Sequence, residues 1–459
     1  MGDGGNGWRL TRQEIPLEER QEGSIRIYAK WLLGQLLVPA LAVVTALVLG
    51  AIIIWASGSD PLVAYRGLLD GAFIKKRAFS ESLVATTPYI LLGLAVAFGF
   101  KCGLFNIGAE GQFYIGQLAA VWVGYNVHGL PTWLHLSLAL GAGMLAGAIW
   151  SAIPGYLRAK LGSHEVINTI MMNYIAIFLA DYLVGLNGPM RDPKSSVPQT
   201  PSVDASAQLP RLSELPVLMA SPVTRGVTAL VIAIALFFAV RWLWQRRAKR
   251  VSGRQSSLIV SLVTAGALGI AAYFVLGSLA ALGGPFTDRA DRLHLGFFLA
   301  VAVAVFIWWL LEKTTLGFEV RTVGASPEAA EYAGISIVRN FVLAMGISGA
   351  LAGLAGGVEV LGLERNVKSF FFAGYGFDSI AVALLANNNP LGIIPSAFLF
   401  GALRNGADLM ELRAGVSKQI ISIVQALVLM FIAAPAIIRR LYRLRAARAE
   451  GVQLTRGWG

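Results

Sequence analysis

The 459-residue chain is short of charge: only 14% of its residues are Asp, Glu, Lys or Arg, against about 25% in a typical soluble domain. That shortage argues against a soluble globular enzyme. A single cysteine, Cys102, excludes an internal disulfide. The four histidines form no Cys/His cluster with zinc spacing, so no metal and no redox cofactor are expected. No Gly-x-x-x-x-Gly-Lys-[Ser/Thr] run is present to cradle nucleotide phosphates, and no His-Glu-x-x-His pairs catalytic side chains on one helix face. Residues 1–31 are polar and of mixed charge, without the apolar core of a secretory signal, and the first apolar run is therefore expected to be kept as a true span.

What the chain has is apolar surface. The hydrophobic share is 56%, enough for on the order of ten to twelve crossings at ~20 residues each. The expected fold class is all-α: a polytopic integral membrane protein with 10 to 12 transmembrane helices, some of them broken or re-entrant. Apolar runs bounded by charge or turn residues place spans near 32–55, 84–100, 108–128, 134–157, 166–185, 223–243, 257–283, 295–311, 340–362, 372–388, 391–411 and 417–438. The segments near 108 and 377 are candidates for half-helices. The net charge of +12 fits basic cytoplasmic loops better than nucleic-acid binding. The bias rests mainly on the loop 241–254 and the tail 439–456 and places both termini in the cytoplasm. Lys75, Lys76 and Arg77 run against it, as a docking patch or as tolerated charge. The stretch 187–222 holds seven prolines and reads as a partly ordered extracytoplasmic loop.

Ionisable and amide side chains inside apolar spans carry the functional signal. In GLFNIGAEGQF, 103–113, Asn106, Glu110 and Gln112 sit between apolar spans among several glycines. A broken helix facing a cavity and a short turn between two spans are the two readings. Along span five, Asn168 and Asn173 are better placed for interhelical hydrogen bonds than for ligand contact. His164 and Glu165 sit near Arg158 and Lys160 at the membrane entry, and Asp181 lies further along. In 374–392, Phe377 and Asp378 precede the polar break Asn387-Asn388-Asn389-Pro390; this is a second candidate discontinuity, with Asp378 a possible helix cap. Phe371, Phe372, Tyr375 and Phe377 suit either stacking on a flat solute or anchoring at the interface. Small residues recur at four-residue spacing in Gly349, Gly353 and Gly357, with Gly346 and Gly356 nearby, and again in Gly143 and Gly147. They predict close helix seams.

The segment 324–335 differs in kind. Ser326 is a good N-cap, Pro327 fits the first helical position, Glu328 suits the positive helix end and Gly334 supplies a stop. A two-turn helix is expected there, too short to be stable alone. Ala329, Ala330 and Ala333 offer it a small-residue surface suited to a groove, which Ala330→Arg is expected to block.

In these segments the chain resembles the permease subunits of bacterial ABC importers for simple sugars, branched-chain amino acids and nucleosides, the nucleoside type above all. GLFNIGAEGQF (103–113), HEVINTIMMNY (164–174), TLGFEVRTVGASPEAAEYAGIS (315–336) and GFDSIAVALLANNNPLGI (376–393) carry the match in that order. The resemblance implies a multi-pass subunit of a bacterial plasma (inner) membrane, not an enzyme, with ATP bound by a separate ATPase subunit. It implies a second permease, expected to be a different chain, an extracytoplasmic substrate-binding protein and surrounding lipid. A translocation path at Asn106, Glu110, Gln112, Asn173, Phe377 and Asp378 follows, together with an ATPase-coupling helix at Gly324, Ser326, Pro327, Glu328, Ala329, Ala330, Tyr332 and Gly334. The expected organisation is a cytoplasmic segment 1–31, a transmembrane domain 32–438 and a basic cytoplasmic tail 439–459. Residues 223–283 depart from the family pattern and read as an inserted helical hairpin without solute ligands. An ion-coupled transporter using Glu110, Asp181 and Asp378 is the competing class.

Overall fold

The computed structural model describes residues 41–75, 77–214, 266, 270, 291–369, 374–433 and 435–442. The expected hairpin 223–283 lies outside them apart from two positions, as do residues 1–31 and almost all of the basic tail. The described residues are helical, with no strand among them; two isolated bridges join Gln199 to Lys368 and Arg211 to His294. The chain divides into two compact units, residues 58–421 and residues 1–57 with 422–459.

The larger unit begins with α2 (Pro61–Leu69), which follows α1 (Leu41–Ala56) of the smaller one. This helix lies between the expected spans 32–55 and 84–100, outside any apolar run placed from the sequence. The local signal was nevertheless present, since the Asp60 carboxylate accepts from the Leu62 N–H at 2.8 Å and Pro61 opens the helix. α2 tightens into a π-turn, Asp70–Ile74, before α3 (Ala78–Lys101). Next come α4 (Ala109–Asn126), α5 (Thr132–Leu161) and α6 (Glu165–Val184). Beyond residue 290 the unit continues with α7 (Gly296–Lys313), α8 (Thr315–Ala325), α9 (Pro327–Tyr332) and α10 (Ile337–Glu359), the last running into a π-turn, Val360–Glu364. α11 (Tyr375–Leu385) and α12 (Ile393–Ala414) complete it.

Among the described residues, α3, α5, α6, α7 and α10 with its π-turn are long and apolar enough to cross a bilayer. α3 and α10 are mostly buried inside the chain, whereas α5, α6 and α7 leave most of their surface open. This is the arrangement of a buried helix pair inside an outer ring that lipid or a second subunit would cover. α11 has only 11 residues, about 16 Å of rise, half a hydrocarbon core.

The smaller unit joins α1 to α13 (Lys418–Ala433) and α14 (Pro435–Leu441) through a core of Ala42, Ala46, Phe431 and Ile438. Thr45 Oγ1 lies 3.0 Å from the Tyr442 hydroxyl within it.

The proline-rich loop is ordered by backbone pairing. Thr200 N–H donates to Val367 C=O, Val203 N–H to Arg365 C=O, Leu209 N–H to Leu361 C=O and Leu212 N–H to Leu293 C=O, each at 2.8–2.9 Å. Arg292 grips Glu81 of α3 with Nε and Nη2, the shortest contact 2.6 Å. Beside this seam His294 is 1% exposed, and its Nδ1 accepts from Gly296 N–H at 3.1 Å. Burial, with the Arg211 guanidinium adding to it, pushes the imidazole down to about 4. A histidine held neutral stabilises fully above the ordinary value of about 6.5, and its contribution is lost as pH falls from there to about 4. His294→Asn, which keeps a short acceptor, is expected to flatten that part of the stability profile by about 3 kcal/mol. Detergent melts of both proteins across pH 4–7 check this, and parallel curves would refute it.

Candidate functional site

The turn from α3 to α4 is re-entrant. Asn106 Nδ2 donates to Ser348 Oγ at 2.7 Å, and Ser348 Oγ donates to the Ala95 carbonyl. Ala95 lies six residues before Lys101, so after Lys101 the chain doubles back by about 9 Å. Asn106 and Gln112 then exchange two amide hydrogen bonds at 3.0 Å, and Asn106 Oδ1 also accepts from Gly108 N–H at 3.0 Å. Asn173 of α6 closes the turn: its Oδ1 accepts from Gly111 N–H at 2.7 Å, and its Nδ2 donates to the Ile107 carbonyl at 2.9 Å. Asn106, Gln112 and Asn173 are each about 1% exposed. They form a satisfied internal knot, as buried amides must.

Glu110 is fully buried in the first turn of α4. Its carboxylate accepts from Gly374 N–H at 2.9 Å and from Gly376 N–H. These are orphan donors of the first turn of α11, which no intrahelical carbonyl reaches. Gly376 is required by closeness, since a Cβ there would meet Glu110 N at 2.3 Å. The starts of α4 and α11 therefore abut, with one carboxylate capping the second helix. Asp378 does not cap α11 as a sequence reading allowed. Gly374 holds the cap position, and the Asp378 carboxylate instead accepts from the Tyr89 hydroxyl of α3 at 2.7 Å.

Arg404 of α12 completes this second cluster. Its Nη1 donates to the Tyr89 hydroxyl at 3.2 Å and lies 3.9 Å from Asp378 Oδ2, and its Cζ stands 4.1 Å over the Tyr375 ring centroid. Tyr89 and Tyr375 meet edge to face at 5.1 Å. Glu359, also buried, is within electrostatic range of Arg404 and Tyr375. Arg404 falls inside the apolar run 391–411, and sequence pattern alone assigns no role to it, to Tyr89 or to Glu359. The available signal was the charge itself, because a cation at mid-helix costs at least ~2.5 kcal/mol in lipid unless something receives it. Of the six residues expected along the path, Asn106, Glu110, Gln112 and Asn173 are enclosed. Phe377 is 39% exposed and the Asp378 side chain 35%. Phe371 and Phe372 lie outside the described residues. At the membrane entry, Arg158 pairs with Glu165 at 3.2 Å, and further along α6 Asp181 accepts from Ser369 Oγ at 3.2 Å.

At the other expected site, Ser326 Oγ accepts from Ala329 N–H at 3.2 Å, Pro327 opens α9, and Gly334 follows its end at φ +78°. The exposed face carries Pro327, Glu328, Ala329, Glu331, Ala333 and Tyr332, the last 97% exposed. Ala330 is fully buried against its own chain, so the small-residue surface expected from Ala329, Ala330 and Ala333 loses its middle member. An arginine there would disturb this subunit before it reached any partner. Gly324, at the end of α8, lies against the start of the re-entrant turn: a Cβ on it would meet the Lys101 carbonyl oxygen at 2.2 Å.

A model of the family described as "Branched-chain amino acid transport system / permease component" matches residues 78–433, which include all of these residues. The chain belongs to this family. The permease is 36% identical to the guanosine ABC transporter permease protein NupP of Bacillus subtilis over 89% of this chain and 95% of that one. It is 33% identical to the nucleoside ABC transporter permease protein NupB of Lactococcus lactis over 92% and 98%. It is 32% identical to the glucose ABC transporter permease protein TsgB13 of Haloferax volcanii over 89% and 90%. Weaker likeness, 22–23% identity, extends to NupC and NupQ, nucleoside and guanosine ABC transporter permeases of the same two bacteria. No solved structure matches. As a permease component with several apolar crossing helices, the chain is a multi-pass membrane transport subunit rather than an enzyme.

Proposed function

We propose that this permease forms half of the translocation path of an ABC importer for nucleosides. A separate ATPase subunit binds the ATP, and an extracytoplasmic binding protein delivers the solute. The second half of the path is a different permease chain: likeness to NupP and NupQ in one bacterium, and to NupB and NupC in another, supports a pair of unlike subunits. Both termini face the cytoplasm of a bacterial inner membrane, with 32–438 as the transmembrane domain and 1–31 and 439–459 on the inner side. A simple sugar is the second reading, favoured by comparable identity to a glucose permease. An ion-coupled mechanism is disfavoured: Glu110 and Asp181 hold other parts of the chain, and the family is one of permease components.

The observation that carries the mechanism is the route from α9 to the knot. α9 presents Tyr332 outward as the coupling contact. Ser326 and Pro327 fix its start, and Gly324 abuts Lys101 to Gly103, where the chain turns toward Asn106 and Glu110. Movement of a docked ATPase is thereby passed to the two abutting helix starts and biases inward against outward-facing states.

The test uses the full transporter in proteoliposomes. Tyr332→Asp is expected to lower ATP-driven nucleoside uptake at least tenfold and to weaken copurification of the ATPase, with the chain still inserted in the membrane. Normal uptake by that variant, or uphill transport by this chain without companions, overturns the reading.

A further inference from the structure

We infer that the open face of α6 lines the solute path at the middle of the membrane, where Tyr174 receives the flat base of a nucleoside. This inference deepens the permease reading and rests on it. The position follows from helix arithmetic. α6 is one of the helices long and apolar enough to cross a bilayer, and its 20 residues rise about 30 Å, the thickness of a hydrocarbon core. Tyr174 stands 9 residues after the first residue of α6 and 10 before the last, so about 14 Å of helix lies on either side.

At that depth the tyrosine keeps 55% of its surface open, and its hydroxyl has no hydrogen-bond partner among the described residues. It cannot lift that hydroxyl to either headgroup layer. Hydrocarbon offers the group nothing to bond, so the Tyr174 face is not turned to lipid. Nor is it built as a helix seam. The packed side of α6 carries Thr169, Ala176 and Ala180 beside Asn173, mostly small residues about one turn apart, of the kind that lets helices close on one another. The open side carries Met171, Tyr174 and Phe178, each more than half exposed and neighbours at three- and four-residue spacing. A deep hydroxyl among large side chains fits a water-filled path between this chain and its partner permease better than lipid or a closed interface.

The side chains name the ligand class. Two aromatic rings and a thioether offer apolar and π surface, on which a nucleobase stacks whatever its identity. The Tyr174 hydroxyl both donates and accepts, so it suits the ring nitrogens and carbonyl groups at the edge of a base. A hexose brings hydroxyls but no π face. The preceding residue, Asn173, holds Gly111 and Ile107 of the re-entrant turn, so a base seated on Tyr174 bears on the same helix that closes the knot.

Cys102 is the chain's only cysteine and is buried, which makes labelling direct. In a Cys102→Ala background, Tyr174→Cys in the complete transporter is treated in proteoliposomes with a membrane-impermeant methanethiosulfonate or with a lipid-soluble pyrene maleimide. Modification of this chain by the impermeant reagent is expected, slowed at least threefold by saturating guanosine. Modification by the lipid-soluble reagent alone puts the face in lipid, and modification by neither closes it in an interface. Either result overturns the inference, as does labelling without protection while the unaltered transporter takes up guanosine. If Tyr174→Cys fails to assemble, Met171→Cys on the same face is read by the same outcomes. Uptake gives a second readout: Tyr174→Ala is expected to lower guanosine uptake at least fivefold and Tyr174→Trp, which restores a flat ring, to recover most of it. Equal losses refute the base contact. If the unaltered transporter carries glucose and no nucleoside, the nucleoside reading fails and takes the base contact with it, whereas access of the impermeant reagent still decides whether α6 lines the path.

Discussion

Glu110→Ala is expected to destabilise the permease by about 2–6 kcal/mol and to abolish uptake. Two N–H groups, of Gly374 and Gly376, lose their acceptor in one step, and a buried donor left unsatisfied costs about 1–3 kcal/mol. Water cannot easily replace the carboxylate, because Glu110 is fully buried and the Gly376 backbone stands against it. Glu110→Gln keeps one carbonyl oxygen but turns an amide N–H₂ toward the other donor, so it is expected to fall about midway. Melting in detergent and guanosine uptake in proteoliposomes should therefore both rank unaltered chain, Gln, Ala. An alanine variant as stable and active as the parent would mean that the carboxylate does not hold the start of α11.

The elements that sequence reading located are those with local causes. Ser326 and Pro327 announce α9 within four residues, and the glycines around Asn106 and Glu110 announce a break in an apolar run. The half-length of α11 was likewise readable from Gly374, Gly376 and the asparagines after Ala386. What reading missed is long-range. Glu110 meets Gly374 across 264 positions and Tyr89 meets Asp378 across 289, and nothing in either neighbourhood encodes the pairing. Burial inside a membrane protein is hidden for another reason. α3 packs inside the chain while α6 exposes Ile167, Met171 and Phe178. Both are apolar, since lipid and protein interior make the same demand on a side chain and composition cannot separate the two faces. The inward turn of Ala330 was unreadable likewise, because six helical residues with three small side chains around them define no apolar stripe.

The seam of α10 is where a single methyl group is expected to do most damage. α10 wedges between α4 and α5 through backbone contact: a Cβ on Gly353 would meet the Gly143 carbonyl oxygen at 2.1 Å, and one on Gly349 would meet the Gly147 carbonyl oxygen at 2.2 Å. Toward α4, Gly356 would strike the Phe113 carbonyl oxygen at 2.2 Å, while the nearest atom to a Cβ on Gly357 is in the Leu140 side chain at 3.3 Å. The four-residue repeat thus holds through Gly349 and Gly353 and then shifts by one residue, because α10 has a second helix to meet. In lipid such close packing, rather than exclusion of water, holds helices together, and no side chain is present at these positions to rotate away. Gly353→Ala is therefore expected to cost about 3 kcal/mol, the upper part of the usual overpacking range, with loss of folded protein from the membrane. Gly346 lies on the same helix with nothing within 4 Å of its added Cβ, and alanine there should gain about 0.5–1 kcal/mol from helix propensity. Paired detergent melts of the two variants should move in opposite directions. Equal losses would mean that α10 is merely intolerant of any substitution, and an unharmed Gly353→Ala would mean that the helices stand further apart than the seam requires.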